Sequence, residues 1–200
     1  MTLDFINVGY GDAILIRSGS FTMLVDCGDW TVGDGGPDSQ RISAADFLRQ
    51  EGIDTLDLLV LTHLHRDHSG GLTELLECVA VRSFRCNYLP DRIFWGKRVP
   101  VPEGFSAGAR CLLESLNVFL SALAIMEQQG TEVSLASPGT WPLTPELTAE
   151  CFLEAQPIFE RQAAIWQNVL EDRADNRELE ELDGFINNTS IRLRLSYAGQ

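Results

Sequence analysis

The 200-residue chain has three histidines, and all of them fall within the six positions 63–68, inside the heptapeptide T-H-L-H-R-D-H that runs from Thr62 to His68. In an extended segment alternate side chains point to the same side, so His63 and His65 can offer two imidazoles to one ion. Asp67 and His68 come next, where the chain turns, and they project from a different backbone direction suited to a second ion. Neutral imidazole and carboxylate are borderline and hard donors, fitting zinc, manganese or iron better than a thiolate site for copper. Gly70 and Gly71 follow at once and let other backbone come close without a Cβ in the way. Solvated loop histidines are the plainer alternative, but four candidate ligands in six residues argue against it.

Other chemistries find little support. Gly9 and Gly11 raise the question of a dinucleotide loop, yet Ile14 stands where the third glycine of G-x-G-x-x-G belongs. That stretch reads instead as a tight turn presenting Asp12, whose role stays open. No Gly-x-Ser-x-Gly elbow occurs, and with every histidine in the heptapeptide a Ser-His-Asp triad has no base left. Cys27 could approach a metal, but a buried free thiol is its plainer reading.

The elements that must carry these residues follow from the apolar pattern. Leu3 to Val8, Ala13 to Ile16 and Phe21 to Val25 are short apolar runs flanked by Gly or Ser, a strand meander. A Gly- and Asp-rich loop, Gly28 to Asp38, leads into a helix over Ser39 to Gln50 that stops at Gly52. Asp57 to Leu61 is the run of a strand buried on both faces, and the heptapeptide begins where it ends. Leu72 to Val79 then opens a helix, and in open α/β sheets such strand-to-helix junctions are where sites form. Pro90 to Gly108 reads as loop. Cys111 to Met126 reads as a buried or interface helix, too short as an apolar stretch for the roughly 20 residues of a membrane span. Glu146 to Glu154 reads as a strand and Pro157 to Leu170 as a helix. The acidic stretch Glu171 to Asp183 is expected to be a solvated helix face or connector. Ser190 to Tyr197 alternates apolar against polar and is the clearest half-buried strand.

Composition bounds the rest. At 44% apolar and 22% charged the chain can build a core, as one domain over residues 1–200 with a mostly helical insertion at about 90–185. A formal charge of −14 excludes a broad nucleic-acid surface. Five cysteines without a C-x-x-C pair fit reduced thiols, and with no secretory signal pattern and no membrane span the expected compartment is the cytoplasm. Nothing in the sequence speaks to oligomerisation.

The motif H-x-H-x-D-H resembles the signature of the metallo-beta-lactamase superfamily. N-V-G-Y-G-D-A at Asn7 to Ala13, L-V-D-C-G at Leu24 to Gly28, L-V-L-T-H before the motif and G-G-L after it resemble more narrowly the ComEC-like hydrolase domain of bacterial DNA-uptake proteins. So does N-N-T-S-I-R-L-R-L at Asn187 to Leu195. The resemblance implies an α/β fold, an αββα sandwich of which this chain carries an incomplete second half. It implies His63 and His65 as ligands of a first ion and Asp67 and His68 of a second, with Asp67 also catalytic. Asp26 would orient ligands from behind, against a plainer role capping a turn.

The same resemblance implies a zinc-dependent hydrolase holding one or two ions, with manganese or iron as alternatives, that attacks substrate with a metal-bound hydroxide. A phosphodiester is the expected substrate, with an acyl, lactam or thioester compound as the alternative. A non-catalytic scaffold with part of a metal site is the rival from another class. The superfamily pattern continues with a further histidine, an aspartate and a last histidine, and no histidine follows His68, so the chain is expected to be a C-terminally truncated piece or else a short form.

Overall fold

The computed structural model describes residues 1–33 and 39–198; the last part of the expected Gly28 to Asp38 loop lies outside the described residues. The N-terminal meander forms β1 (Thr2–Phe5), β2 (Ile14–Ser18) and β3 (Phe21–Val25), paired antiparallel in that order. The chain then crosses through α1 (Ala44–Gln50) to β4 (Thr55–Leu61), which pairs parallel with β3. Ser43 caps α1 by accepting from the Asp46 N–H at 3.1 Å, so the helix starts later than its apolar spacing announces.

After β4 come α2 (Arg66–Ser69), α3 (Leu72–Cys78) and β5 (Ala80–Cys86), then α4 (Ala107–Gln129) and β6 (Glu132–Leu135). β4, β5 and β6 run parallel and complete a six-stranded sheet in sequence order. A second, antiparallel sheet holds β7 (Gly139–Pro142), β8 (Leu147–Phe152) and β9 (Arg192–Tyr197). Between β8 and β9 lie α5 (Gln156–Leu170), α6 (Asn176–Phe185) and a 3-10 turn at Ile186–Thr189. Segment 90–185 thus contains α4, α5 and α6 together with β6, β7 and β8.

Side-chain alternation assigns the layers. On β2, β3 and β4, Leu15, Leu24, Leu59 and Leu61 face the helices, while Ile16, Met23, Leu58 and Val60 face the second sheet. β4 is buried on both faces because helices cover one side and Trp141, Leu147, Ala149 and Ile191 cover the other. Each buried Leu, Ile, Val or Met among them contributes about 1.5–3 kcal/mol. The result is a helix, sheet, sheet stack, the mixed α/β architecture of an incomplete αββα sandwich.

α4 is longer than its apolar core, 23 residues, and by length and composition alone it could cross a membrane. Its Leu112, Leu116, Phe119, Leu120 and Leu123 are fully buried, packed in the helix-side core. Ser106 caps its start, accepting from the Ala109 N–H at 3.3 Å, and Gly130 ends it in the left-handed conformation at φ 75°.

Candidate metal centre

The heptapeptide sits at the carboxyl end of β4, and neighbouring backbone packs against it. Asp26, at the end of β3, has φ 58° and is 2% exposed. Its Oδ1 accepts the Thr62 N–H at 2.7 Å and its Oδ2 accepts the Thr62 hydroxyl, also at 2.7 Å. The Cys27 N–H donates to the His68 carbonyl at 2.9 Å, tying the end of β3 to the end of the motif. Three glycines allow this closeness: a Cβ on Gly11 would lie 1.5 Å from the Asp67 carbonyl oxygen, one on Gly70 2.4 Å from the Trp30 nitrogen, and one on Gly71 2.5 Å from the Cys27 carbonyl oxygen. Gly11 also has φ +80°.

The hydrogen bonds settle where the proton of His63 resides. Its Nδ1 lies 3.0 Å from Thr62 Oγ and 3.2 Å from Ser190 Oγ. Both hydroxyls donate elsewhere, Thr62 to Asp26 and Ser190 to the Asn187 carbonyl at 2.7 Å. They can therefore only accept from His63, so Nδ1 carries the hydrogen and Nε2 is a bare lone pair. That Nε2 is buried and has no partner. Burial, then the neighbouring His68 and His65, push the His63 pKa down to about 3, so the ring is neutral. A neutral, buried imidazole with its free nitrogen facing no donor is what a divalent ion requires of a ligand.

His68 is held likewise. Its Nδ1 lies 2.8 Å from Asp26 Oδ2, which leaves Nε2 3.7 Å from Asp67 Oδ2. Burial works against charging His68, but Asp26 outweighs it, helped by Asp67 and Asp12, and the pKa ends above the ordinary histidine value. Asp26 is itself raised by burial, against the opposing pull of His68 and Thr62. The ring centroids of His63 and His68 are 4.2 Å apart and those of His63 and His65 are 5.1 Å apart.

The structure therefore brings His63, His65, Asp67, His68, Asp26 and Asp12 together. Cys27 is buried beside them, and burial followed by the Asp26 charge pushes its thiol pKa well up, so it stays protonated. Two residues came into the site without an assigned role from the sequence: Asn187 Oδ1 is 3.0 Å from His65 Nδ1, and Asp183 Oδ1 is 3.3 Å from His65 Nε2. Only the N-N-T-S likeness marked the first of them. Among the described residues no group of three or more His, Cys, Asp or Glu side chains is placed to hold one metal ion.

Beside the histidines opens a cleft of about 390 Å³ whose walls include Tyr10, His65, Arg66, Asp67, Cys111 and Asp183. Arg66 is the one permanent cation among its described lining residues; its Nε donates to the buried Asp29 at 2.8 Å and its guanidinium lies over Trp30, 4.8 Å from the ring centre.

A family model described as the metallo-beta-lactamase superfamily matches residues 6–106, half of the chain and the whole of this constellation up to His68. The chain belongs to the metallo-beta-lactamase superfamily. Superfamily members are metal-dependent hydrolases that typically bind divalent ions. A metallo-beta-lactamase from Cronobacter sakazakii, a HARLDQ-motif mutant, shares the fold with a TM-score of 0.52 at 12% identity, over 98% of this chain and 57% of that one. An archaeal superfamily protein from Sulfolobus tokodaii aligns with a TM-score of 0.42 at 21% identity, over 76% of this chain and 54% of its own. The metallo-beta-lactamase fold protein YhfI from Bacillus subtilis gives 0.42 at 15% identity, over 76% and 53%. This superfamily chain thus spans little more than half the length of these solved relatives. No curated protein sequence matches it.

Proposed function

We propose that this chain forms the metal-binding half of a hydrolase acting on a phosphodiester, with His63 and His65 on a first ion and Asp67 and His68 on a second. The observation that carries the reading is the bare, buried Nε2 of His63, held in that tautomer by two hydroxyls that have no proton left to give it. A divalent ion bound there, zinc in the first instance and manganese or iron as alternatives, would acidify a water and neutralise charge building on substrate oxygens.

The chain's own residues prepare the site for that chemistry. Asp26 takes the His68 Nδ1 hydrogen and turns Nε2 toward Asp67. Asp67 lines the cleft, and we assign it the catalytic role, taking a proton as well as serving as a donor. Asp12 contributes negative charge beside His68. Arg66, anchored by Asp29, faces the same cleft and suits the anionic oxygens of a phosphodiester. The ComEC-like segments point to the same substrate class. Cytoplasmic residence belongs to this reading and is supported by five unpaired cysteines.

A lactam or other acyl substrate is the second reading, motivated by the fold shared with the Cronobacter sakazakii metallo-beta-lactamase. Loading the protein with zinc or manganese and offering a chromogenic phosphodiester beside a β-lactam and a thioester separates the two. Turnover of the diester that disappears in Asp67→Asn supports the proposal. Hydrolysis of the lactam or thioester with none of the diester overturns the substrate. A scaffold would show no turnover and a metal content untouched by His65→Ala.

A further inference from the structure

His65 is met on both ring nitrogens by side chains from the segment before β9, Asn187 Oδ1 at Nδ1 and Asp183 Oδ1 at Nε2. An imidazole that ligates an ion uses one nitrogen and offers the other to an orienting acceptor, commonly a carboxylate. His63 and His68 already follow that rule, each with Nδ1 held; the Nε2 of His63 is buried without a partner and that of His68 is turned toward Asp67. For His65 the carboxylate is Asp183, which leaves Nδ1 for an ion and places Asn187 Oδ1 beside it. Two donors on one tetrahedral zinc ion, with bonds of about 2.0–2.1 Å, lie roughly 3.3 Å apart. The observed 3.0 Å between Nδ1 and Oδ1 is close to that edge.

The turn that carries Asn187 is anchored on all sides. The Ile191 N–H donates to the Thr62 carbonyl at 3.1 Å, the Asn87 amide donates to the Thr189 carbonyl and hydroxyl at 2.9 Å, and the Ser190 hydroxyl that receives His63 also donates to the Asn187 carbonyl. Asp183 is seated against α4, where a Cβ added to Gly108 would come within 2.7 Å of its Oδ2.

Resting on the metal-dependent reading above, we infer that Asn187 supplies an amide oxygen to the ion held by His63 and His65, and that Asp183 is the positioning residue that fixes His65. A donor set of two imidazoles and one amide oxygen is harder than three imidazoles, so it admits manganese or iron(II) more readily beside zinc.

The test is calorimetric titration of the full chain with manganese(II) and zinc(II), with cobalt(II) absorption as a second readout. Asn187→Leu should weaken binding by about 10- to 100-fold, the range typical of lost ligand support, whereas Asn187→Asp, which keeps the oxygen, should bind at least as tightly. Asn188→Ala, on the neighbouring exposed side chain, should leave binding unchanged. Asp183→Asn should shift the cobalt bands while the melting temperature stays put. Should the leucine variant fail to fold, the aspartate variant decides: weaker binding there overturns the inference. Unchanged binding in Asn187→Leu, with binding abolished in His63→Ala, overturns the inference and leaves the metal-dependent reading standing. Unchanged binding in His63→Ala overturns both.

Discussion

Asp26 Oδ2 lies 2.8 Å from His68 Nδ1 while the same carboxylate receives both the N–H and the hydroxyl of Thr62. One side chain thereby orients His68 directly and His63 through Thr62. Asp26→Ala should weaken metal binding by about 10- to 100-fold, measured by titration calorimetry. Removing this carboxylate should do so without changing the number of ions bound at saturation.

The turn at Gly9 to Gly11 is pressed onto the motif. Gly11→Ala would drive a Cβ into the Asp67 carbonyl at a positive φ, and overpacking of this kind costs about 1–3 kcal/mol. Urea unfolding should show that loss together with weaker metal binding. Gly104→Ala, where an added Cβ meets nothing, should leave both unchanged.

His63 makes stability depend on pH. Its pKa is about 3 in the fold against 6.5 for the free side chain, so below pH 6.5 the unfolded chain takes up a proton that the fold refuses. Stability contributed by neutral His63 is fully present above pH 6.5 and is lost as pH falls. In chelator, unfolding free energies from urea titrations at pH 6.5 and pH 5 should differ through this group by about 2 kcal/mol, at about 1.4 kcal/mol per unit. His63→Gln should remove that part of the slope. The raised pKa of His68 acts in a separate window above 6.5, where its stabilisation is lost with rising pH.

Arg66 should act on substrate and leave the ion alone. Arg66→Ala is expected to raise KM for a phosphodiester by about 10-fold or more, as loss of a charge-assisted contact worth about 1.5–3 kcal/mol would, with metal affinity unchanged. Steady-state kinetics beside calorimetry reads both.

Much of this was visible in the chain itself, and the gaps have physical causes. β4 and β9 were legible because one is apolar on both faces and the other alternates cleanly. β5 was not, because Arg82 and Arg85 interrupt its apolar positions; the structure pairs Arg82 with Asp57 and lays Arg85 over Trp141 at 4.1 Å. β6 and β7 are four residues each, too short for a period to register, and β7 is bounded by Gly139 and Pro142. The heptapeptide and Asp26 were legible as a local cluster and a strand end. Asp183 was not: it lies in the acidic stretch read as a solvated face, and only the fold, across 118 residues, turns it onto His65. Asn187 reaches the same ring across 122 residues. A side chain recruited over that distance leaves no spacing to read.

On the reading proposed above, the heptapeptide from Thr62 to His68 is a metal centre built around the bare Nε2 of His63. Its most direct test is the metal content of the protein after zinc loading and desalting, measured by elemental analysis on the native chain and on His63→Ala and His68→Ala. Bound zinc in the native protein that falls in both variants, with melting temperatures in chelator showing that each is folded, is the predicted result. Zinc retained equally by all three, or absent from the native protein, would contradict it.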